Sequence, residues 1–316
     1  MKRYTPADLK NINTFPIEER PTKVDSSKLA EVCQPGAGLG AFLDSLPDIL
    51  KANELRKVVQ AIVTAYKKKK PVIVGIGGHV VKCGLAPLLI DFMEQGIISA
   101  VAMNGGASIH DFEMALIGRT SEDVAASLEN GRFGMVRETG EAMNGAITEG
   151  AGCGMGMGAS LGKKLIELNA PCQKNSILAA GARLEVPVTV HIAVGGDTIH
   201  MHPTASGSAL GQASFTDFRL IISVIGDMGD GGVYLNIGSA VVLPEVFVKA
   251  LNAARNLSKE PVKDFTTVNM DMNQHYRPMV NVLHRPTMSS GSAYSLTGHH
   301  EIMLPLLFAL VRNSLS

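Results

Sequence analysis

Short apolar runs ending in glycine alternate with segments of helical periodicity along most of the chain. Residues 39–66 place apolar side chains mostly three and four positions apart, which predicts a helix. Residues 71–78 (PVIVGIGG) predict a strand, and the next helix, 84–96, closes on a glycine. Strand 97–106 and a helix from about residue 109 follow. The same patterns predict helices at 159–169, 174–185, 215–226, 245–257 and 301–315, and strands at 186–196, 231–240 and 265–271.

This alternation of unbroken apolar strands with helices predicts a doubly wound α/β fold. Its sheet is expected to be mostly parallel, with helices on both faces. Residues 1–38 combine charges and prolines and predict an irregular N-terminal arm. No internal repeat or change in composition divides the remainder, so residues 39–316 are expected to form a single domain.

Charge and composition argue against nucleic-acid and membrane partners. The 29 basic and 29 acidic residues give a net charge of zero. The basic run 67–70 is interpreted as the solvated end of a helix rather than a binding patch. Neither a membrane-spanning run nor a signal peptide is recognised. Four separated cysteines indicate reduced thiols, and a cytoplasmic protein is therefore expected.

Four of the predicted strands end in glycine: PVIVGIGGH, AVAMNGGAS, HIAVGGDT and YLNIGSAV. Parallel strands bring these ends to one edge of the sheet, where α/β folds bind ligands and where glycine lets the backbone approach a phosphate. The pattern favours a nucleotide-like ligand. The alternative, tight turns without a ligand, stays open because Val80 stands where the Rossmann fingerprint has its third glycine.

From about residue 70 onward, the order of these segments resembles the deoxyhypusine synthase-like family. The segments LGKKLIELNAPCQKNSILAAGARLEVPV, VYLNIGSAVV, TVNMD and EIMLPLL fall in the family's order. The stretch GGHVVKCG, followed by AMNGGASIHDFEMALIGRTS, is similar to the NAD-dependent ornithine cyclodeaminase domain. The resemblance implies a Rossmann-like sheet that binds NAD, a small-molecule substrate, and a homotetramer with sites between subunits.

The resemblance also implies where the cofactor and the reacting groups lie. The candidate catalytic residues are His110, Asp111, His200 and His284. His110 and Asp111 are expected to begin a helix that faces the crevice, although an acid there also suits a helix N-terminus without any ligand. The candidate NAD-binding residues are Gly77, Gly78, His79, Asn104, Gly105, Gly106, Gly196, Asp197, Gly238, Ser239, Asp271 and His299.

The departures from the family change the expected reaction. The family's catalytic lysine is replaced by the stretch VLHRPT, and no lysine follows Lys263, so transfer through a lysine imine is excluded by that route. His200 replaces an acid that recognises a polyamine, which argues against a polyamine substrate. The expected function is NAD-dependent oxidation of a C–N or C–O bond in a small amine or amino acid, with His200 or His110 taking the proton. The alternative is a non-redox NAD-binding or metal-assisted hydrolytic protein.

Three further groups of polar residues bear on a possible metal, on the substrate and on catalysis. His200 and His202 (HMH) form a candidate metal pair, completed by Asp197 or by residues 299–301, or they simply line a polar crevice. Arg277, His284 and Arg285 favour a substrate with an anionic group. Asp227 and Asp230, in the stretch GDMGDGG (226–232), suit either the geometry of a glycine-rich turn or a catalytic role.

Overall fold

The computed structural model describes residues 2–260 and 262–315, which fold around a six-stranded parallel sheet. The strand order is β3-β2-β1-β4-β5-β6, and each neighbouring pair runs parallel. The strands are β1 (Val72–Ile76), β2 (Ala100–Asn104), β3 (Val188–His191), β4 (Val233–Ile237), β5 (Thr266–Asp271) and β6 (Ser292–Thr297). The doubly wound parallel fold predicted from the sequence is therefore confirmed.

Helices cover both faces of the sheet. They are α1 (Leu39–Ser45), α2 (Leu50–Lys67), α3 (Gly78–Lys82), α4 (Ala86–Glu94), α5 (Gly105–Ile117), α6 (Val124–Leu128), α7 (Arg137–Gly152), α8 (Met157–Glu167), α9 (Ile177–Leu184), α10 (Gly207–Gly226), α11 (Val242–Leu257), α12 (Tyr276–Pro278), α13 (Arg285–Thr287) and α14 (His300–Leu315). A π-helix, Met279–His284, joins α12 to α13. No helix within 2–260 or 262–315 is long and apolar enough to cross a membrane.

Alternate residues of the central strands β1, β2 and β4 enter two separate hydrophobic cores. Val74 and Val101 belong to the larger core, whereas Ile73, Ala100 and Tyr234 belong to the smaller one on the opposite face. Every residue of β1 and β4 is buried because both faces are covered. This explains why the inner strands read as continuous apolar runs rather than as alternating ones.

The order in which strands are added to the sheet reverses between β1 and β4: β2 and β3 follow on one side of β1, and β5 and β6 follow on the far side of β4. The β1 residue Val74 pairs with Val101 of β2 on one side and with Leu235 of β4 on the other. The connections from β1 and β4 therefore leave in opposite directions, which opens a crevice beyond the carboxyl ends of the two strands. This crevice fixes the place of the candidate site.

Several predicted elements differ from the structure. The helix expected over 39–66 is two helices, α1 and α2, separated by a segment that contains Pro47. The helix expected from about residue 109 begins at Gly105. The helix expected over 174–185 is a 3₁₀ turn followed by α9. The sequence patterns did not identify α7 or β6. The strand β6 was missed because SAYSLT is a half-exposed edge strand with few apolar residues.

The buried carboxylate of Asp217 holds β3, the strand at the edge of the sheet opposite β6. Asp217 Oδ2 accepts hydrogen bonds from Val190 N at 2.7 Å and from Gly158 N at 2.9 Å. Burial raises the pKa of Asp217 to about 7, and the backbone N–H groups oppose this rise. One side chain thus joins the edge strand to the first turn of α8 and positions the loop that follows β3.

Residues 2–38 form an extended arm with short 3₁₀ helices at Leu9–Asn11, Ile17–Glu19 and Ser26–Lys28. Every residue from 2 to 27 is exposed. The arm meets the body where Glu31 N donates to Ser45 O and Asp48 N donates to Lys28 O. The division into an arm and one domain over 39–316 stays a prediction.

Candidate active site

The loops after β1 and β4 approach each other closely at the crevice. Gly77 N donates to Ile237 O at 3.0 Å, and a Cβ at Gly77 would lie 1.9 Å from Gly238 O. Gly238 itself has a φ of +64°, which favours glycine. Only glycine at position 77 permits this contact. The structure therefore brings together two of the glycines predicted to bind NAD.

His300, which the sequence indicated only as part of the possible metal-ligand run 299–301, lies beneath Gly238 in the crevice. Its side chain is buried, and its Nε2 lies 3.3 Å from Met270 O. Burial lowers the pKa of His300, and the neighbouring Asp271 carboxylate opposes this change. The adjacent His299, which the sequence analysis selected, is instead 64% exposed and lies 3.9 Å from Glu301.

His79 lies at the opening of the crevice on α3. Its ring meets the His300 ring edge-on, with centroids 5.6 Å apart, and its Nε2 lies 3.4 Å from Cys83 Sγ. Burial, together with the carboxylate of Glu301, raises the pKa of the Cys83 thiol. The thiol is therefore protonated at neutral pH and is a weak nucleophile.

The stretch 104–106 connects β2 to α5 and is already hydrogen-bonded. Asn104 is the N-cap of α5, since its Oδ1 accepts from Ala107 N at 2.8 Å. The backbone of Gly105 lies against the Asp197 carboxylate, where a Cβ would meet Oδ2 at 2.0 Å. The backbone of Gly106 lies close to Gly78 across the crevice. Asn104 and Gly105 thus help to build the site, and Gly78 and Gly106 form its floor.

Asp197 and His200 form a buried polar pair beside α5. Their side chains are 11% and 6% exposed, and Asp197 Oδ2 lies 3.9 Å from His200 Nε2. Neither atom has a hydrogen-bond partner among the described residues. Burial raises the pKa of Asp197, and the nearby His200 opposes this rise. Gly196 lies in the exposed part of the same loop.

A hydrogen-bond relay orients His110. Thr120 Oγ1 donates to Glu113 Oε2 at 2.5 Å and lies 2.8 Å from His110 Nδ1. Because the single hydroxyl proton goes to the carboxylate, Nδ1 must carry the proton that joins it to Thr120. The Nε2 atom therefore keeps a free lone pair. The Cδ2 atom of the His110 ring, which is bonded to Nε2, lies against Gly78. A Cβ built on Gly78 would be 3.1 Å from this Cδ2 atom.

His110 lines a pocket of about 200 Å³ at the carboxyl ends of β2 and β3. The pocket also receives Lys82, Glu113, Thr139 and Asp197. Thr139 Oγ1 donates a second hydrogen bond to Glu113, at 3.2 Å. Burial, and secondarily the charge of Lys82, lowers the pKa of His110 to about 4. The imidazole is therefore neutral at pH 7, with Nε2 unprotonated.

Asp111 does not face the crevice, contrary to the expectation from the sequence. Its carboxylate is fully buried and accepts hydrogen bonds from Ser176 Oγ at 2.5 Å, Ile177 N at 2.8 Å and Leu178 N at 3.0 Å. Burial raises the pKa of Asp111 to about 6 despite these three donors. The residue anchors the start of α9, which favours a structural role over a catalytic one.

Other predicted residues lie outside this pocket. Ser239 Oγ accepts from Leu243 N at the start of α11, and Asp271 lies at the end of β5 near His300. His284 is exposed on the π-helix. Arg277 Nε lies 3.3 Å from Glu245, and Arg285 binds Asn281 at 2.7 Å. These arginines are therefore already engaged by partners within the chain.

The HMH stretch does not form the strand pair on which the metal prediction depended. His200 lies in a 3₁₀ helix, Thr198–Met201, and accepts a hydrogen bond from Gly195 N at Nδ1. His202 binds Thr204 at 2.7 Å and packs against Gly140. Over residues 2–260 and 262–315, no group of three or more His, Cys, Asp or Glu side chains is arranged to hold a metal ion.

Replacing Lys82 with glutamine is expected to raise the pKa of His110. The ammonium of Lys82 disfavours the imidazolium, so its removal allows His110 to be protonated at higher pH. An NMR titration of the His110 ring measures this directly. Lys57→Gln on α2 is the matched control and leaves the pKa unchanged. An unchanged pKa in Lys82→Gln would show that burial alone sets it.

No protein-family model matches the chain, and no curated protein matches its sequence. Several solved structures share its fold. A conserved LOR/SDH-type protein from Methanococcus maripaludis S2 has a TM-score of 0.51 at 15% identity, over 89% of this chain and 72% of that one. A protein assigned as a deoxyhypusine synthase from Entamoeba histolytica has a TM-score of 0.51 at 11% identity, over 89% and 95%.

The third neighbour is AgrE, in its ternary complex with ornithine and NAD⁺. It has a TM-score of 0.51 at 13% identity, over 82% of this chain. The chain spans 33% of the length of AgrE. At these identities the similarity shows the fold alone. The resemblance to the deoxyhypusine synthase-like family is thus supported at the level of the fold.

Proposed function

We propose that the protein is an NAD-dependent enzyme that oxidises a C–N or C–O bond of a small amine or amino acid. The observation that carries this proposal is the oriented relay Glu113–Thr120–His110, which presents a free imidazole nitrogen beside the glycine-lined crevice. The fold neighbours support it, because the AgrE structure holds NAD⁺ and ornithine.

The bare backbone of the glycines around the crevice supports a dinucleotide as the ligand. Gly77, Gly78 and Gly238 form a cradle of bare backbone, because a Cβ at each would come within 3.1 Å of a neighbouring group, and Gly106 lies beside them. No described side chain caps the start of α3, so its first N–H groups remain available. When bound, NAD would accept a hydride from the substrate carbon. The residues at 77–78, 106 and 238 would hold it, with His79 at the opening and the buried His300 beneath Gly238.

The chain's own residues supply the accompanying proton transfer. His110 Nε2 accepts the proton that leaves the substrate's nitrogen or oxygen as the carbon is oxidised. Thr120 holds the imidazole in the required tautomer, and Glu113 fixes the direction in which the Thr120 hydroxyl donates. Glu113 and Asp197 are acceptors for a substrate ammonium, whereas Lys82 is a donor for an anionic group. The mixed charges of the pocket favour a small polar substrate.

The test is a screen of small amines and amino acids for reduction of NAD, followed through the fluorescence of NADH. His110→Asn is expected to lower kcat by about 100-fold or more, the usual loss when a general base is removed. His275→Asn alters an exposed histidine outside the pocket; it is the control and is expected to keep full activity. An active substrate whose turnover is unchanged in His110→Asn would contradict the proposed base.

A further inference from the structure

The N-terminal arm, residues 2–38, is extended with short hydrogen-bonded turns, and many of its large apolar side chains are exposed. Eight of these apolar residues are each at least 55% exposed. They are Tyr4, Leu9, Ile12, Phe15, Ile17, Val24, Leu29 and Val32. A solvated tail is usually poor in such residues. The arm therefore has the composition of a segment that is covered.

The exposed apolar area is large enough for a specific interface. Burying one such side chain removes roughly 60–120 Å² of apolar surface, so the eight side chains offer roughly 500–1,000 Å². A stable interface buries about 800 Å² on each partner. Monomeric proteins rarely leave contiguous patches of this size in water. The arm alone thus approaches the area that a stable dimer needs.

Charge and backbone conformation narrow the choice of partner. Residues 2–32 carry six basic and five acidic side chains, a net charge of +1, and the whole chain has a net charge of zero. Neither value favours nucleic acid or an anionic membrane. Pro6, Pro16 and Pro21 keep the arm from forming the amphipathic helix that lies on a lipid surface. A protein surface of low net charge fits best.

We propose that the arm docks onto a second copy of this chain. The receiving surface is an apolar groove of about 530 Å³ beside the edge strand β3, lined by Met155, Ile166, Leu178, Pro187 and Leu220 among others. The arm leaves the body next to α1, which packs on α14, while α2 packs on β6 at the opposite edge of the sheet. None of the arm residues 2–38 lines this groove.

This arrangement lets two copies exchange arms. Ile166 and Leu220 are 43% and 40% exposed in the groove, so they provide apolar contacts for the arm of the other copy. The rim carries Lys163, Glu167 and Glu185, which match the mixed charges of the arm. An extended arm with apolar side chains at positions 9, 12, 15 and 17 can place several of them in one groove.

Sedimentation equilibrium over a range of protein concentrations tests the proposal. The unchanged protein is expected to form a dimer or a larger assembly at micromolar concentration. Ile12→Ser combined with Phe15→Ser is expected to raise the dissociation constant at least 100-fold, as is Leu220→Glu in the groove. Leu257→Ser, which alters a residue 76% exposed outside both surfaces, is the control and leaves assembly intact. Thermal melting by circular dichroism confirms that each variant is folded.

A photo-crosslinking amino acid in place of Phe15 identifies what the arm touches. A product of twice the chain mass, with the attachment mapped to α8 or α10 of a differently tagged copy, supports the proposal. An unchanged protein that is monomeric at every concentration overturns it. So does an assembly that the arm variant leaves intact, or a crosslink that joins the arm only to its own chain.

Discussion

Replacing Asp111 with alanine is expected to lower the free energy of unfolding by about 3–5 kcal/mol, because each buried donor left without an acceptor costs about 1–3 kcal/mol. The substitution leaves the Ser176 hydroxyl and the N–H groups of Ile177 and Leu178 without their acceptor in the core. Urea denaturation followed by circular dichroism at pH 7 measures the loss.

Asp123→Ala is the matched control for this prediction. Asp123 also caps a helix, since its Oδ1 accepts from Ala126 N at 3.2 Å, but it is exposed. Its removal is expected to cost no more than about 1 kcal/mol. Equal losses in the two variants would show that the carboxylate of Asp111 is not the structural anchor described above.

Gly77→Ala is expected to weaken NAD binding by about 100-fold, the scale of loss that an ångström of displacement causes in a site. The added Cβ would lie 1.9 Å from Gly238 O, inside the 3.0 Å that real Cβ atoms keep from such neighbours. The loops after β1 and β4 must therefore move apart, and the cradle between them opens. Calorimetric titration with NAD measures the change in affinity.

Gly145→Ala is the matched glycine control. A Cβ at Gly145 meets nothing within 4 Å, and alanine is favoured inside a helix such as α7. This variant is expected to bind NAD as the unchanged protein does. If Gly77→Ala also bound NAD normally while remaining folded, the close approach of the two loops would not be part of a cofactor site.

The sheet could be predicted from the sequence because the inner strands are buried on both faces. Their apolar runs, such as residues 71–78, need no knowledge of tertiary contacts to be recognised. The start of α5 could not be predicted in this way. Two glycines at 105 and 106 disfavour a helix by propensity, and the Asn104 cap together with the packing of Asp197 overrides them.

The site was predicted less well than the fold, because side-chain direction depends on helix phase. His110 and Asp111 are adjacent on α5 and point about 100° apart, so both cannot face one pocket. His299 precedes α14 and is exposed, whereas His300 begins this helix and is buried. Glu113 lies in the motif IHDFE, but Thr120 reaches His110 only after the chain turns at Gly118, where φ is +69°. No periodic signal marks that contact.

Calorimetric titration of the unchanged protein with NAD tests whether the crevice binds this cofactor. Saturable binding with one NAD for each chain is expected. Bound NAD is also expected to protect the crevice residues, His79 among them, from chemical modification. Absence of binding by a protein that circular dichroism shows to be folded, and that sedimentation shows to be correctly assembled, would contradict the assignment of this crevice to NAD.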